Sequence, residues 1–149
     1  MNPITPPEGF RHHIPLPTRW SDLDALGHVN NAVYLTYFEQ ARISYFNELG
    51  LWDGSLEKLG LIMARAVIDY KLPLNATDEV HVFTRTTRLG TKSFDTQQVI
   101  ARRVGDQLEL AAQGTITIVV FDYQTNSSTP MPPAWRDYLI AYEPGQIQT

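Results

Sequence analysis

The amino-acid sequence predicts an α+β domain in which a curved antiparallel sheet wraps one long central helix. Three observations carry that reading. One segment repeats apolar residues at three- and four-residue spacing, the segments after it alternate apolar and polar residues, and one of these is too long to stay straight. The 149 residues, 43% hydrophobic and 19% charged, fit one domain spanning 1–149. A chain of this size buries roughly 68–70% of its unfolded surface, so its core needs no disulfide or structural metal.

Each element has a local cause. Residues 1–9 are proline-rich and expected to be frayed or extended. Residues 12–20 read as extended chain, and Pro15 and Pro17, which cannot donate to a ladder, make it an edge or irregular strand. A loop follows over 21–29. Asn30 or Asn31 then offers an N-cap, and Val33, Tyr34, Tyr37, Phe38, Ala41, Tyr45 and Leu49 mark the buried stripe of a helix. Gly50 ends it after about nineteen residues.

An irregular stretch over 51–60 leads into strands. Ile62, Ala64, Ala66, Ile68 and Tyr70 alternate with Met63, Arg65, Val67 and Asp69. Residues 80–89 and 93–103 form a hairpin across Gly90, and Gly105 and Asp106 make the next turn. From 108 to 120, Leu108, Leu110, Ala112, Gly114, Ile116, Ile118 and Val120 share one face. At about 3.3 Å per residue that strand would run roughly 43 Å, so it must curl, and Gly114 fits a bend or a close backbone approach. Residues 128–142 add a short terminal helix with proline at its start. Open sheet edges predict a homo-oligomer, dimer or tetramer.

Composition removes several functions. With no cysteine there is no disulfide, no thiolate metal ligand and no thiol nucleophile. A net charge of −4 argues against nucleic acid as partner. The first twenty residues hold no signal-peptide core and no apolar run reaches a membrane-spanning length, so a cytoplasmic protein without a membrane span is expected. His12, His13, His28 and His81 have no metal-ligand spacing, and no nucleotide or hydrolase motif occurs, so neither a metal nor a cofactor is implied.

The loop before the helix is the exception. Residues 20–31, WSDLDALGHVNN, crowd two carboxylates, a glycine, an imidazole and two amides against a helix start. Free N–H groups there can hold a polarised carbonyl, and a neighbouring carboxylate can activate water or attack. Plain turn chemistry uses the same residue types, so composition leaves both readings open.

Residues 19–42, around WSDLDALGHVNNAVYLTYFEQAR, resemble the signature of hot-dog-fold thioesterases of the 4-hydroxybenzoyl-CoA thioesterase-like family. HVNN is also similar to plant acyl-carrier-protein thioesterases. The resemblance implies hydrolysis of an acyl-CoA by a homodimer or homotetramer. It places the catalytic carboxylate on Asp24 as general base or nucleophile and the carbonyl-polarising backbone N–H at Asn31. Asp22 would be structural, and Gly27 would let the backbone approach substrate. His28 would line the pocket, act as a hydrogen-bond partner or serve structure alone. Independently of the resemblance, the helix aromatics Tyr34, Tyr37, Phe38 and Tyr45 can shape a pocket, although core packing accounts for most of them.

Glu39 falls where relatives carry an acid near the site, although Glu39 and Arg42 at i,i+3 also read as a surface ion pair. Lys92 and Ser93, in a segment that looks like the family's CoA-facing strand, would meet CoA or simply be solvated. Leu26 and Asn31 depart from the plant and benzoyl patterns respectively, so the acyl group stays unnamed. One carboxylate suffices chemically because a thiol of pKa about 8.5 leaves readily as thiolate. The alternative on the same fold is a non-hydrolytic acyl-thioester or aromatic-ligand binding module.

Overall fold

The computed structural model describes residues 3–51 and 59–149. Strand β1 (His12–Leu16) leads through a single 3₁₀ turn (Trp20–Asp22) to helix α1 (Val33–Leu49). Then come β2 (Leu59–Tyr70), β3 (Glu79–Leu89), β4 (Ser93–Val104), β5 (Gln107–Asp122), the two-residue β6 (Ser127–Ser128) and helix α2 (Pro133–Tyr142). The strands form one antiparallel sheet in the order β1-β3-β4-β5-β2, with β6 on the end of β5. The irregular 51–60 stretch lies outside the described residues except at its ends. Residues 3–9 carry no regular structure, and Ile4 packs on a small cluster of Phe10, Phe83, Val99 and Ala101 behind the sheet.

Helix α1 lies across the inner face. Tyr37, Phe38, Ala41, Tyr45 and Phe46 bury against Val82, Phe94, Ile100, Ile116 and Ile118, and Leu139 of α2 closes the same core. Gly114 sets how close they come. A Cβ there would lie 3.1 Å from the Val67 carbonyl and 3.2 Å from the Phe38 ring, which is the close approach its position predicts. His12 and His13 face opposite ways: His12 meets Tyr45 edge-on inside, while His13 stacks on Phe83 outside.

The sheet curls through β-bulges, and these correct the simple alternation. Ala64, Thr87 and Ala111 are skipped in the pairing of β2 with β5, β3 with β4 and β4 with β5. A bulge inverts the phase of the strand beyond it. Leu108 therefore joins the cluster behind the sheet and Leu110 is exposed, instead of sharing a face with Ile116. In β2 Met63 pairs with Ile118 while Ala66 and Ile68 pair with Ile116 and Gly114, so Met63 faces inward with them and Ile62 does not.

Strand β2 is also an uncovered edge. Every residue from Ile62 to Val67 is exposed, so its alternation answers to no buried face within one chain.

Candidate functional site

The loop between β1 and α1 is locked by Asp22. The sequence folds it back because Asp22, at the end of the 3₁₀ turn, accepts from the Arg19 backbone N–H at 3.0 Å and from the Arg19 guanidinium at 2.9 Å. Tyr37 of α1 donates its hydroxyl to the same carboxylate at 2.7 Å, and the Asp22 carbonyl accepts the Asn30 N–H at 2.8 Å. Burial alone would push the Asp22 carboxyl up, but the bonds from Arg19 and Tyr37 outweigh it and hold it below the ordinary carboxylate range. The loop is thus tied at both ends to the helix it precedes.

Asp24 sits at the exposed apex. Its Oδ1 accepts the backbone N–H groups of Leu26 at 2.8 Å and His28 at 3.2 Å, while its own N–H donates to the His28 carbonyl at 2.7 Å. Oδ2 has no donor among the described residues. Gly27 closes the turn at φ +79°, a left-handed backbone that glycine adopts without strain, with nothing within 4 Å of where a Cβ would stand. His28 is half-buried and bridges by its backbone to Asn75.

The regular helix begins later than its sequence suggests, with seventeen residues from Val33 and Ala32 as N-cap. Asn30 still performs the capping chemistry: its Oδ1 accepts the Ala32 N–H at 2.9 Å and its carbonyl accepts the Val33 N–H. The Asn31 N–H is left with no acceptor among the described residues, and the Asn31 carbonyl takes the Tyr70 hydroxyl at 2.9 Å. Asn31, Tyr34, Tyr70 and Leu72 line a cavity of about 310 Å³ beside that amide. Tyr34 is buried there, edge-on to Tyr70 at 5.1 Å.

The remaining expected residues lie elsewhere. Glu39, five residues further along α1 from Tyr34, lines a second groove, between α1 and β2. It forms no ion pair with Arg42, because Arg42 is buried and donates to Gln98 Oε1 at 3.0 Å; the surface-pair reading is corrected. Lys92 and Ser93 occupy the turn at the Leu89 end of β3, whereas the Asp24 loop lies at its Glu79 end, about 33 Å along the strand. One chain does not bring them to Asp24. Arg19 and Gln98 escape sequence reading, as does the bond from Tyr37 to Asp22, although Gln98 shares the inward parity of Phe94, Thr96 and Ile100 on β4. Among the described residues no three His, Asp or Glu side chains converge as metal ligands.

A long helix under a curled antiparallel sheet, with an acid-bearing loop at the helix start, is the hot-dog fold. The Thioesterase-like superfamily matches residues 18–139, and the chain belongs to it. Long-chain acyl-CoA thioesterase FadM of Escherichia coli is 27% identical over 127 residues, 78% of this chain and 88% of that one. Acyl-acyl carrier protein thioesterase ATL2 of Arabidopsis thaliana is 28% identical over 88% of this chain and 69% of its own length. A Thermus thermophilus thioesterase, solved in complex with coenzyme A and Zn, is 35% identical and superposes with a TM-score of 0.81, covering 94% of this chain and 99% of that one. By this membership the chain is a thioester hydrolase.

Proposed function

We propose that the chain hydrolyses acyl-CoA thioesters to free acid and CoA, with Asp24 as general base or nucleophile. The observation that carries it is that the one loop leading into α1 holds both a fixed carboxylate and a free amide: Asp24 Oδ1 is held by two loop N–H groups, and the Asn31 N–H has no acceptor among the described residues. Positions set in advance cost no reorganisation when the thioester arrives. The Asn31 N–H, assisted by the positive end of α1, polarises the carbonyl, and Asp24 Oδ2 takes a proton from water or attacks. CoA then departs as thiolate without an acid. Gly27 and His28 wall the approach, Tyr34 closes the cavity beside the carbonyl, and Glu39 borders the path of the acyl chain.

A homodimer completes this site. Isologous pairing of two β2 edges runs them antiparallel, which carries the second copy's turn at Lys92 and Ser93 to the end where the first copy holds Asp24. Lys92 and Ser93 then meet the CoA, and the exposed residues of β2 gain cover. The CoA-bound Thermus relative supports CoA as the carrier.

The test is Asp24→Asn assayed by free-thiol release over acyl-CoAs of graded length. General-base loss lowers turnover by about 10²–10⁴-fold while the circular dichroism spectrum stays native. Undiminished release overturns the assignment. Wild-type protein that binds acyl-CoA yet frees no thiol is instead a binding module.

A further inference from the structure

The groove between α1 and β2 holds a buried cation with one hydrogen-bond partner among the described residues. Its volume is about 350 Å³, and apolar Ile43, Phe46, Leu61 and Met63 line it together with Arg42 and Glu39. Arg42 is 7% exposed, and of its five N–H donors one bond is found, to Gln98 Oε1. Gln98 is fixed in that orientation because its amide nitrogen donates to the Phe38 carbonyl at 2.9 Å and to Thr84 at 3.0 Å. Among the described residues no carboxylate lies within 4 Å of the guanidinium, Glu39 included. Glu39, in the same groove, acts on this charge only at longer range, and the unused donors of Arg42 suit an oxygen acceptor from outside the chain.

Among the described residues the groove and the cavity beside Asn31 share no lining residue, but both lie between α1 and β2. Asn31, Leu35, Glu39 and Ile43 recur every four residues on one face of the segment, and β2 runs antiparallel beside it, with Tyr70 at Asn31 and Met63 in the groove. From Val33 to Arg42 nine residues at about 1.5 Å each give about 13.5 Å. An extended acyl chain advances about 1.3 Å per carbon–carbon bond, so Arg42 stands about ten carbons from a carbonyl held at the helix start.

We infer that Arg42 is a specificity residue that reads an oxygen acceptor, a carboxylate above a hydroxyl, near the far end of a medium-length acyl chain lying in the α1–β2 groove. This rests on the proposed binding of acyl-CoA at the helix start. Charge assistance ranks carboxylate over hydroxyl over methyl.

The test uses full-length protein and three twelve-carbon acyl-CoA analogues, plain, ω-hydroxy and ω-carboxy, with methylene in place of the thioester sulfur so that binding is read without hydrolysis. Calorimetry should show wild type binding the ω-carboxy analogue at least about tenfold tighter than the plain one, with ω-hydroxy between. Arg42→Met should level the three, and Arg42→Lys should keep the order with a smaller spread. Equal affinities in wild type, or a common loss for all three in Arg42→Met, overturn the proposal. Should Arg42→Met fail to fold, the wild-type ranking and Arg42→Lys decide. Thiol release from the matching thioesters is read separately, so a preserved ranking without release defeats the hydrolase reading alone.

Discussion

Asp22 and Asp24, two residues apart, carry different burdens. Asp22 is buried with Tyr37 and Arg19 upon it, while Asp24 is exposed and spends one oxygen on its own turn. The Tyr37 hydroxyl donates to a charged acceptor out of water, so Tyr37→Phe should cost about 1.5–3 kcal/mol in urea denaturation. Asp22 also has a pH signature. Its folded-state carboxyl lies below the ordinary value of about 3.9, so its contribution is present above that pH and is lost as pH falls through the folded value. Asp22→Asn should be destabilised most at pH 7, with the deficit shrinking towards pH 3. The turn geometry around Asp24 is legible in sequence because it is local: turn, glycine and cap fall within eight residues. Arg42 is not, because its partner Gln98 is 56 residues away and an i,i+3 acid resembles a surface pair.

At the scale of elements, α2 is latched at its C-terminal end. Glu143, buried just past the helix, accepts from the Tyr45 hydroxyl and from the Thr86 N–H at 3.1 Å, and Arg11 donates to the Tyr142 carbonyl at 2.9 Å. Burial pushes the Glu143 carboxyl up, and the bonds from Tyr45 and Thr86 only partly offset it. A raised carboxyl gives its full stability below the unfolded value of about 4.3 and loses it as pH rises through the folded value. Glu143→Gln, which keeps an accepting oxygen and never ionises, should therefore melt above wild type at pH 8 and level with it at pH 4. The helix and the succession of strands along the chain follow from periodicity, which survives in any context; their order in the sheet does not. The bulges do not, because apolar residues continue at every second position from Leu108 to Val120 and the phase change at Ala111 exists only in the pairing with β4.

For the whole molecule, the proposed dimer rests on β2. Met63 and Val67 are 45% and 46% exposed on an edge strand, where a second copy would cover them. Analytical ultracentrifugation should give twice the chain mass for wild type. Ile62→Lys combined with Val67→Lys, both facing away from the α1–β2 groove, should shift that mass towards the monomer and lower thiol release with it. A wild-type monomer that retains full turnover contradicts the completed site. Lys92 and Ser93 explain why this level is hardest to read: nothing along the chain says that residues at the opposite end of β3 from Asp24 would return to it, in the proposed dimer, through another copy.

The unpaired alanine at position 64 decides what the α1–β2 groove is made of. Because it takes up one step of the ladder, Leu61 and Met63 turn towards Arg42 while Ile62 turns away. Gain or loss of a single residue between 59 and 64 would exchange these sets and turn Ile62 towards Arg42 in place of Leu61 and Met63, whereas a change of two would restore them. In this stretch, odd and even changes in chain length therefore have opposite consequences for which side chains line the groove.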